Sequence, residues 1–185
     1  MPIYTIIAGV NGVGKSSLTG VLRAERNDLG YIIDVDKIGA ETQSNPIEAG
    51  KIALRRIGDY LEKELSFTQE TTLSGFRTEK TIKIAKSKGY AIRMFYIGLD
   101  SSQESENRVK NRVEKGGHDV SSKDIRRRYS KRFADLTKIL PLCDEVRFYD
   151  NENGFMEVAE YKNGKLINKG DYKPLWLSEL SAAQN

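Results

Sequence analysis

Residues Gly9 to Ser16 read G-V-N-G-V-G-K-S, and the reading of this octapeptide decides the fold. It matches G-x-x-x-x-G-K-[ST], the phosphate-binding P-loop, in which each fixed position has a physical task. Gly9, Gly12 and Gly14 let the backbone turn so that successive N–H groups point inward at phosphate oxygens, a cradle shared by Val10, Asn11 and Val13. Lys15 is expected to reach the β- and γ-phosphates as a point charge, and the Ser16 hydroxyl to enter the shell of a Mg²⁺ ion. The helix opening at Lys15, Ser16 and Ser17 adds the positive end of its dipole beneath the anion.

The flanks agree with the loop. Ile3-Tyr4-Thr5-Ile6-Ile7-Ala8 is an apolar, β-branched run that predicts a buried strand. Leu18, Val21 and Leu22 recur at helical spacing after the loop. Strand, glycine loop and helix is the order a nucleotide site requires. ATP and Mg²⁺ are the expected cofactors.

Outward from the loop, Gly30 to Asp36 predicts a second strand carrying Asp34 and Asp36 at its C-terminal end. Ligands of open α/β sheets lie beyond the carboxyl ends of the strands, which directs both acids to the site. The competing role for either is a helix cap. Asn45-Pro46 opens a helix whose core-facing stripe is read as Ile47, Leu54, Ile57 and Leu61. Phe67 to Thr72 forms a short strand, Glu79 to Lys88 a basic helix, and Tyr90 to Leu99 a central strand. Ser101 or Ser102 starts a helix on which Arg108 and Arg112 stand one turn apart. Such a like-charged pair suits a shared anion as well as two solvated side chains. Gly116-Gly117-His118 interrupts it, with His118 read as holding the lid loop. A further helix runs from Ser122 to Ile139, with Ile125, Tyr129, Phe133, Leu136 and Leu140 on its apolar stripe. Glu145 to Tyr149 makes the fifth strand, Asn163-Gly164 turns a hairpin, and Trp176 and Leu177 dock the C-terminus.

The expected architecture is therefore α/β: a P-loop NTPase with three α/β/α layers, a mostly parallel five-stranded sheet, a helical lid and a C-terminal β-hairpin. One P-loop kinase-like domain spans residues 1–185, with the lid at about 105–132 and the hairpin and tail at about 151–185. A chain of 185 residues can bury about 70% of its unfolded surface in one core. Cys143 is the single cysteine, which excludes an intramolecular disulfide. With no long apolar run and no signal pattern at Met1, the expectation is a cytoplasmic protein without a membrane partner. The net charge of +4 is concentrated between Arg108 and Arg132. Clustered arginine beside a P-loop is more simply a partner for phosphates than for nucleic acid.

Several segments, in order, resemble the zeta-toxin-like P-loop kinases, specifically the short branch described as predicted ABC-type ATPases or kinases. They are A-G-V-N-G-V-G-K-S, I-D-V-D, Q-E-T-T-L-S-G, R-V-K-N-R-V-E-K-G-G-H-D-V and I-R-R-R-Y, and they extend over nearly the whole chain. The resemblance implies transfer of the γ-phosphoryl of ATP to a hydroxyl of a small anionic acceptor. In zeta toxins that acceptor is UDP-N-acetylglucosamine, and an antitoxin protein is the implied partner. It further implies that Asp36 is the base, that Glu70 and Thr72 sit in the acceptor pocket, and that Arg112, or in competition Arg108, stabilises the transferring phosphoryl group. Zeta toxins have a second lid arginine, and here Arg127 or Arg128 stands in its place. Their P-loop usually carries proline-glycine and ends in G-K-T.

Three readings compete with the kinase. Leu73-Ser74-Gly75 matches a fragment of the ABC-transporter signature, but the glycine-glutamine and acidic strand end that should follow are missing. A regulatory ATPase module would use the same P-loop without an acceptor. A kinase of nucleic-acid ends would use the basic lid to hold its substrate. Tyr149 to Asn151, at the end of the fifth strand, is read as the adenine contact.

Overall fold

The computed structural model describes residues 1–184. The chain alternates strands and helices through most of its length. In order they are β1 (Ile3–Ala8), α1 (Lys15–Glu25), β2 (Tyr31–Ile33), α2 (Val35–Thr42), α3 (Pro46–Glu62), β3 (Phe67–Thr71), α4 (Arg77–Ser87) and β4 (Ala91–Gly98). Then come α5 (Ser102–Glu114), α6 (Ser122–Ile139), β5 (Glu145–Asp150), β6 (Met156–Lys162), β7 (Lys165–Asn168) and α7 (Leu175–Ala183). One sheet results, ordered β2-β3-β1-β4-β5-β6-β7. Its first five strands are parallel and the last two antiparallel.

Alternation along the strands divides the core between the two sheet faces. Tyr4, Ile6 and Ala8 of β1 and Ile92, Met94 and Tyr96 of β4 pack with α3, α4 and α7 on one face. Ile7, Phe95 and Ile97 point the other way, where Leu18 and Leu22 of α1 cover them. Both inner strands are buried along their length, which is why they read as nearly continuous apolar runs.

Three expectations are corrected. The sheet has seven strands rather than five plus a separate hairpin, because β6 pairs directly with β5. Val158 and Ala159 are fully buried there beneath Trp176, so the hairpin extends the core instead of hanging from it. The second strand is only three residues long. Asp34 ends it by accepting the backbone N–H of Asp36 at 2.9 Å and of Lys37 at 3.4 Å, and this cap starts α2. The stripe of α3 is rotated. Ala49, Ala53, Ile57 and Leu61, each one turn apart, face the core, while Ile47 and Leu54 are exposed. Alanines on the inner face let α3 approach α2 closely. Val21 of α1 is likewise exposed.

The C-terminal helix packs on the sheet through Trp176, Leu177 and Leu180, and Trp176 also bonds it there. Trp176 is fully buried, and its indole N–H donates to Asp150 Oδ1 at 2.8 Å while its backbone N–H donates to Asp100 Oδ1 at 3.0 Å. The indole lies where a Cβ at residue 98 would be, 2.1 Å from the nearest ring atoms, so Gly98 is the residue that admits it. Among the described residues no helix is long and apolar enough to cross a membrane.

Candidate active site

The carboxyl ends of β1, β2 and β3, the start of α1 and the lid helices α5 and α6 enclose a polar cleft of about 670 Å³. Its floor is the P-loop. The helix that follows starts at Lys15 without a side-chain cap, so the first N–H groups of α1 remain free to face an anion. Gly12 and Gly14 have positive φ values of 77° and 97°, and Gly12 is held by packing against backbone as well. A Cβ at Gly12 would lie 2.8 Å from the Ser105 carbonyl oxygen, and one at Gly14 would lie 2.6 Å from Asn151 Nδ2.

Lys15 folds over this loop and donates to the carbonyl oxygens of Gly9 and Val10 at 3.0 and 3.1 Å. Burial pulls its ammonium down to about 8, against the opposing pull of the carboxylates of Glu70, Asp36 and Asp34. A lysine in this state lacks a full anionic partner, and a polyphosphate beside it would supply one.

Beneath the loop, Glu70 receives hydrogen bonds from Ser16 Oγ at 2.8 Å and Thr19 Oγ1 at 2.6 Å. It is 7% exposed, and burial pushes its carboxyl above the usual range. Glu70 thus stands at the Ser16 end of the cleft, tied to the donor loop. Thr72, at the end of β3, lines the same cleft and donates to Ser74 Oγ at 3.2 Å. Thr19, one helical turn beyond Lys15, does not stand out in the sequence as a site residue. A threonine on the buried face of an otherwise apolar stripe is the signal that marks it.

Asp34 and Asp36 both line the cleft, but their roles divide. Asp34 is buried and uses Oδ1 to cap α2, so the cap is present at a residue that also lines the cleft. Asp36 stands half-exposed in the first turn of that helix, its carboxylate 3.9 Å from Arg112 Nη1. Arg112 in turn donates to the His118 carbonyl at 2.6 Å. The Gly117 N–H donates back to the Arg112 carbonyl at 2.9 Å, closing the turn between the lid helices.

The remaining arginines are separated by their partners. Arg108 pairs with Glu104 and donates to the Asn151 carbonyl at 2.8 Å, tying α5 to the turn after β5. Arg127 bonds Asp124, a residue of the cleft rim, but takes no place in the cleft wall itself, which corrects its assignment to the acceptor. Arg128 turns inward and donates to Asn11 Oδ1 of the P-loop at 2.9 Å. Asn151 braces the loop, its amide donating to the Val13 carbonyl at 2.9 Å. Arg77, at the start of α4, also lines the cleft, unpaired among the described residues, and the sequence gives no hint of it. Nothing in its local pattern separates it from a solvated lysine or arginine.

With Lys15, Ser16 and Glu70 on one wall and Asp36, Arg112 and Arg128 near it, the cleft combines an anion cradle with a carboxylate beside a cation. No family model matches the chain. An uncharacterised protein of Haemophilus influenzae is 31% identical over 126 residues, covering 65% of this chain and 88% of that protein. In the PezAT chromosomal toxin–antitoxin system of Streptococcus pneumoniae, a chain superposes on all of this one and 84% of its own length, with a TM-score of 0.67 and 18% identity. A chain of the AvrRxo1-ORF1:-ORF2 structure with ATP gives 0.63 at 15% identity, over all of this chain and 76% of that one. At such identities the likeness to these structures is one of fold.

Proposed function

Because the chain belongs to the family of the Haemophilus influenzae protein and has the zeta-toxin-like P-loop kinase fold, we propose that it is an ATP-dependent phosphotransferase whose acceptor is a hydroxyl of a small anionic molecule. The observation that carries this reading is the meeting, in one cleft, of the P-loop with the Asp36–Arg112 pair. A carboxylate at that place suits the base that a hydroxyl acceptor requires, and the acceptor-labelling test separates this role from one that positions water for hydrolysis.

Phosphoryl transfer depends on positioning and charge neutralisation more than on covalent chemistry. ATP lies with its phosphates on the N–H groups of residues 9–16, and Lys15 regains a full charge against them. Asp36 takes the proton of the acceptor hydroxyl as that oxygen bonds to the γ-phosphorus. The bond to the bridging oxygen breaks and ADP leaves. Arg112 keeps Asp36 oriented in the resting cleft and turns to the equatorial oxygens of the transferring group. Arg77 gives the cleft positive charge that suits an anionic acceptor.

The donor set beneath the loop fits Mg²⁺. Ser16 Oγ–H donates a hydrogen bond to Glu70 and keeps its lone pairs for a cation, and both are hard oxygen groups. Among the described residues no cluster of three or more His, Cys, Asp or Glu side chains could hold a metal alone, so the ion would share its shell with phosphate oxygens, as Mg²⁺ does in such sites. When bound it would draw charge from the β- and γ-oxygens. UDP-N-acetylglucosamine is the first acceptor to test. An antitoxin protein as partner belongs to the same reading, supported by the toxin–antitoxin origin of the PezAT fold relative.

The test is purified protein with γ-labelled ATP, Mg²⁺ and either UDP-N-acetylglucosamine or a small-molecule cell extract. Label in a metabolite with wild type and none with Lys15→Ala is expected. Release of inorganic phosphate alone would overturn the kinase reading in favour of an ATPase module. Label in 5′-hydroxyl oligonucleotides would move the acceptor to nucleic-acid ends.

A further inference from the structure

Six arginines lie on α5 and α6, and five have a carboxylate within ion-pair distance: Arg108 with Glu104, Arg112 with Asp36, Arg126 with Glu106, Arg127 with Asp124 and Arg132 with Glu179. Arg128 has none within that distance among the described residues; the carboxylate of Asp124, one turn before it, feels its charge but is bonded to Arg127 and Ser121. Arg128 is half-buried and lines the cleft, and its Nε–H is buried without a partner. Among the described residues its side chain bonds Asn11, from Nη1 to Oδ1 at 2.9 Å. Asn11 is itself 8% exposed, and its carbonyl accepts from Ser105 Oγ of α5, so its backbone is held independently of its side chain.

We infer that Asn11 is a positioning residue that aims Arg128 at the transferring phosphoryl group while leaving its charge unquenched. The inference rests on the kinase reading above and adds to it the residue that sets the second arginine. The physical ground is the choice of partner. A half-buried guanidinium without a counter-ion is unfavourable, and a carboxylate at residue 11 would relieve it. An amide oxygen fixes the plane of the guanidinium but cancels none of its charge. Nη2 remains as a donor for an anion, and Asn11 sits within the loop that would cradle it. The counter-ion of Arg128 is therefore the nucleotide's own polyphosphate, met most strongly when charge spreads over the equatorial oxygens.

Calorimetry with ADP and with ADP plus aluminium fluoride, both with Mg²⁺, tests this without knowledge of the acceptor. Wild type should bind the fluoride complex, which mimics the transferring group, more tightly than ADP. Arg128→Ala should shrink that preference by about 10²-fold. Asn11→Ala should shrink it by about tenfold through misplacement, more than it lowers affinity for ADP, a split that a merely structural role would not produce. The double variant should equal Arg128→Ala. Asn11→Asp keeps the shape and the hydrogen bond but quenches the charge, and it should also lose preference. Multiplicative losses in the double variant, or full preference in Asn11→Asp, would overturn the inference and leave the kinase reading intact. A wild type that binds ADP with no preference for the fluoride complex would also overturn it. Failure of wild type to bind ADP or ATP at all would remove both.

Discussion

Asp36 and Arg112 stand 3.9 Å apart across the cleft, one on the first turn of α2 and the other near the end of α5. The two elements belong to opposite sides of the site, so the contact reports where the lid lies against the acceptor wall. It also puts a carboxylate and a guanidinium, the proposed base and the proposed partner of the transferring group, within reach of one another.

Replacing the acid separates binding from transfer. Asp36→Asn is isosteric and keeps the helix start, which depends on Asp34. It should bind ATP within about twofold of wild type and lose transfer by at least 10²-fold, on the order of what general-base removal costs. Full transfer to the true acceptor by this variant, followed in single-turnover labelling, would show that Asp36 is not the base.

A second prediction concerns pH. The Lys15 ammonium lies at about 8 in the free protein, below its ordinary 10.5 because of burial. Between these values the folded chain holds fewer protons than the unfolded chain, so this group's contribution to stability rises with pH across the window and is lost as pH falls through about 8. Nucleotide binding reverses the preference, since phosphate favours the charged form. ATP affinity should fall as pH rises above about 8, by up to tenfold per unit, with proton uptake visible in calorimetry across buffers of different ionisation enthalpy. A flat affinity from pH 7 to 9.5 would contradict the lysine's role.

Glu70 bonds both Ser16 and Thr19, and its loss should be read in the metal dependence. Glu70→Gln keeps the size and one acceptor but removes the charge. The Mg²⁺ concentration for half-maximal turnover should rise by about tenfold, the size of effect that supporting groups around metals show. An unchanged requirement with a weakened acceptor KM would assign Glu70 to the acceptor instead.

Away from the cleft, Trp176 carries the attachment of α7. Trp176→Ala removes a fully buried indole and leaves Asp150 without its indole donor. A loss of about 3–5 kcal/mol in urea unfolding is expected. Gly98→Ala should also destabilise, because its Cβ would fall 2.1 Å from the same ring. If either variant unfolds at the wild-type midpoint, the helix is not held as described.

How much of this is legible along the chain follows from which contacts are local. The P-loop, the long helix from Ser122 to Ile139 and the caps at Asn45 and Ser101 are written in neighbouring residues, and the structure carries them where the spacing places them. The orientation of α3 is not legible in this way, because large apolar residues outweigh alanine in a pattern, whereas close packing against α2 selects the small face. Asn163-Gly164 announces the hairpin, yet its pairing with β5 depends on an edge that only the assembled sheet exposes.

The arginines mark the same boundary. The sequence by itself determined that a phosphate cradle exists, because glycine freedom, a lysine and a helix start act within eight consecutive residues. It also determined that cations crowd the segment from Arg108 to Arg132. Only the tertiary structure decided that Arg108 braces, Arg112 faces Asp36, Arg127 lies outside and Arg128 meets Asn11. A guanidinium carries the same charge at every position, and what differs is the partner that folding brings to it from as far as 117 residues away.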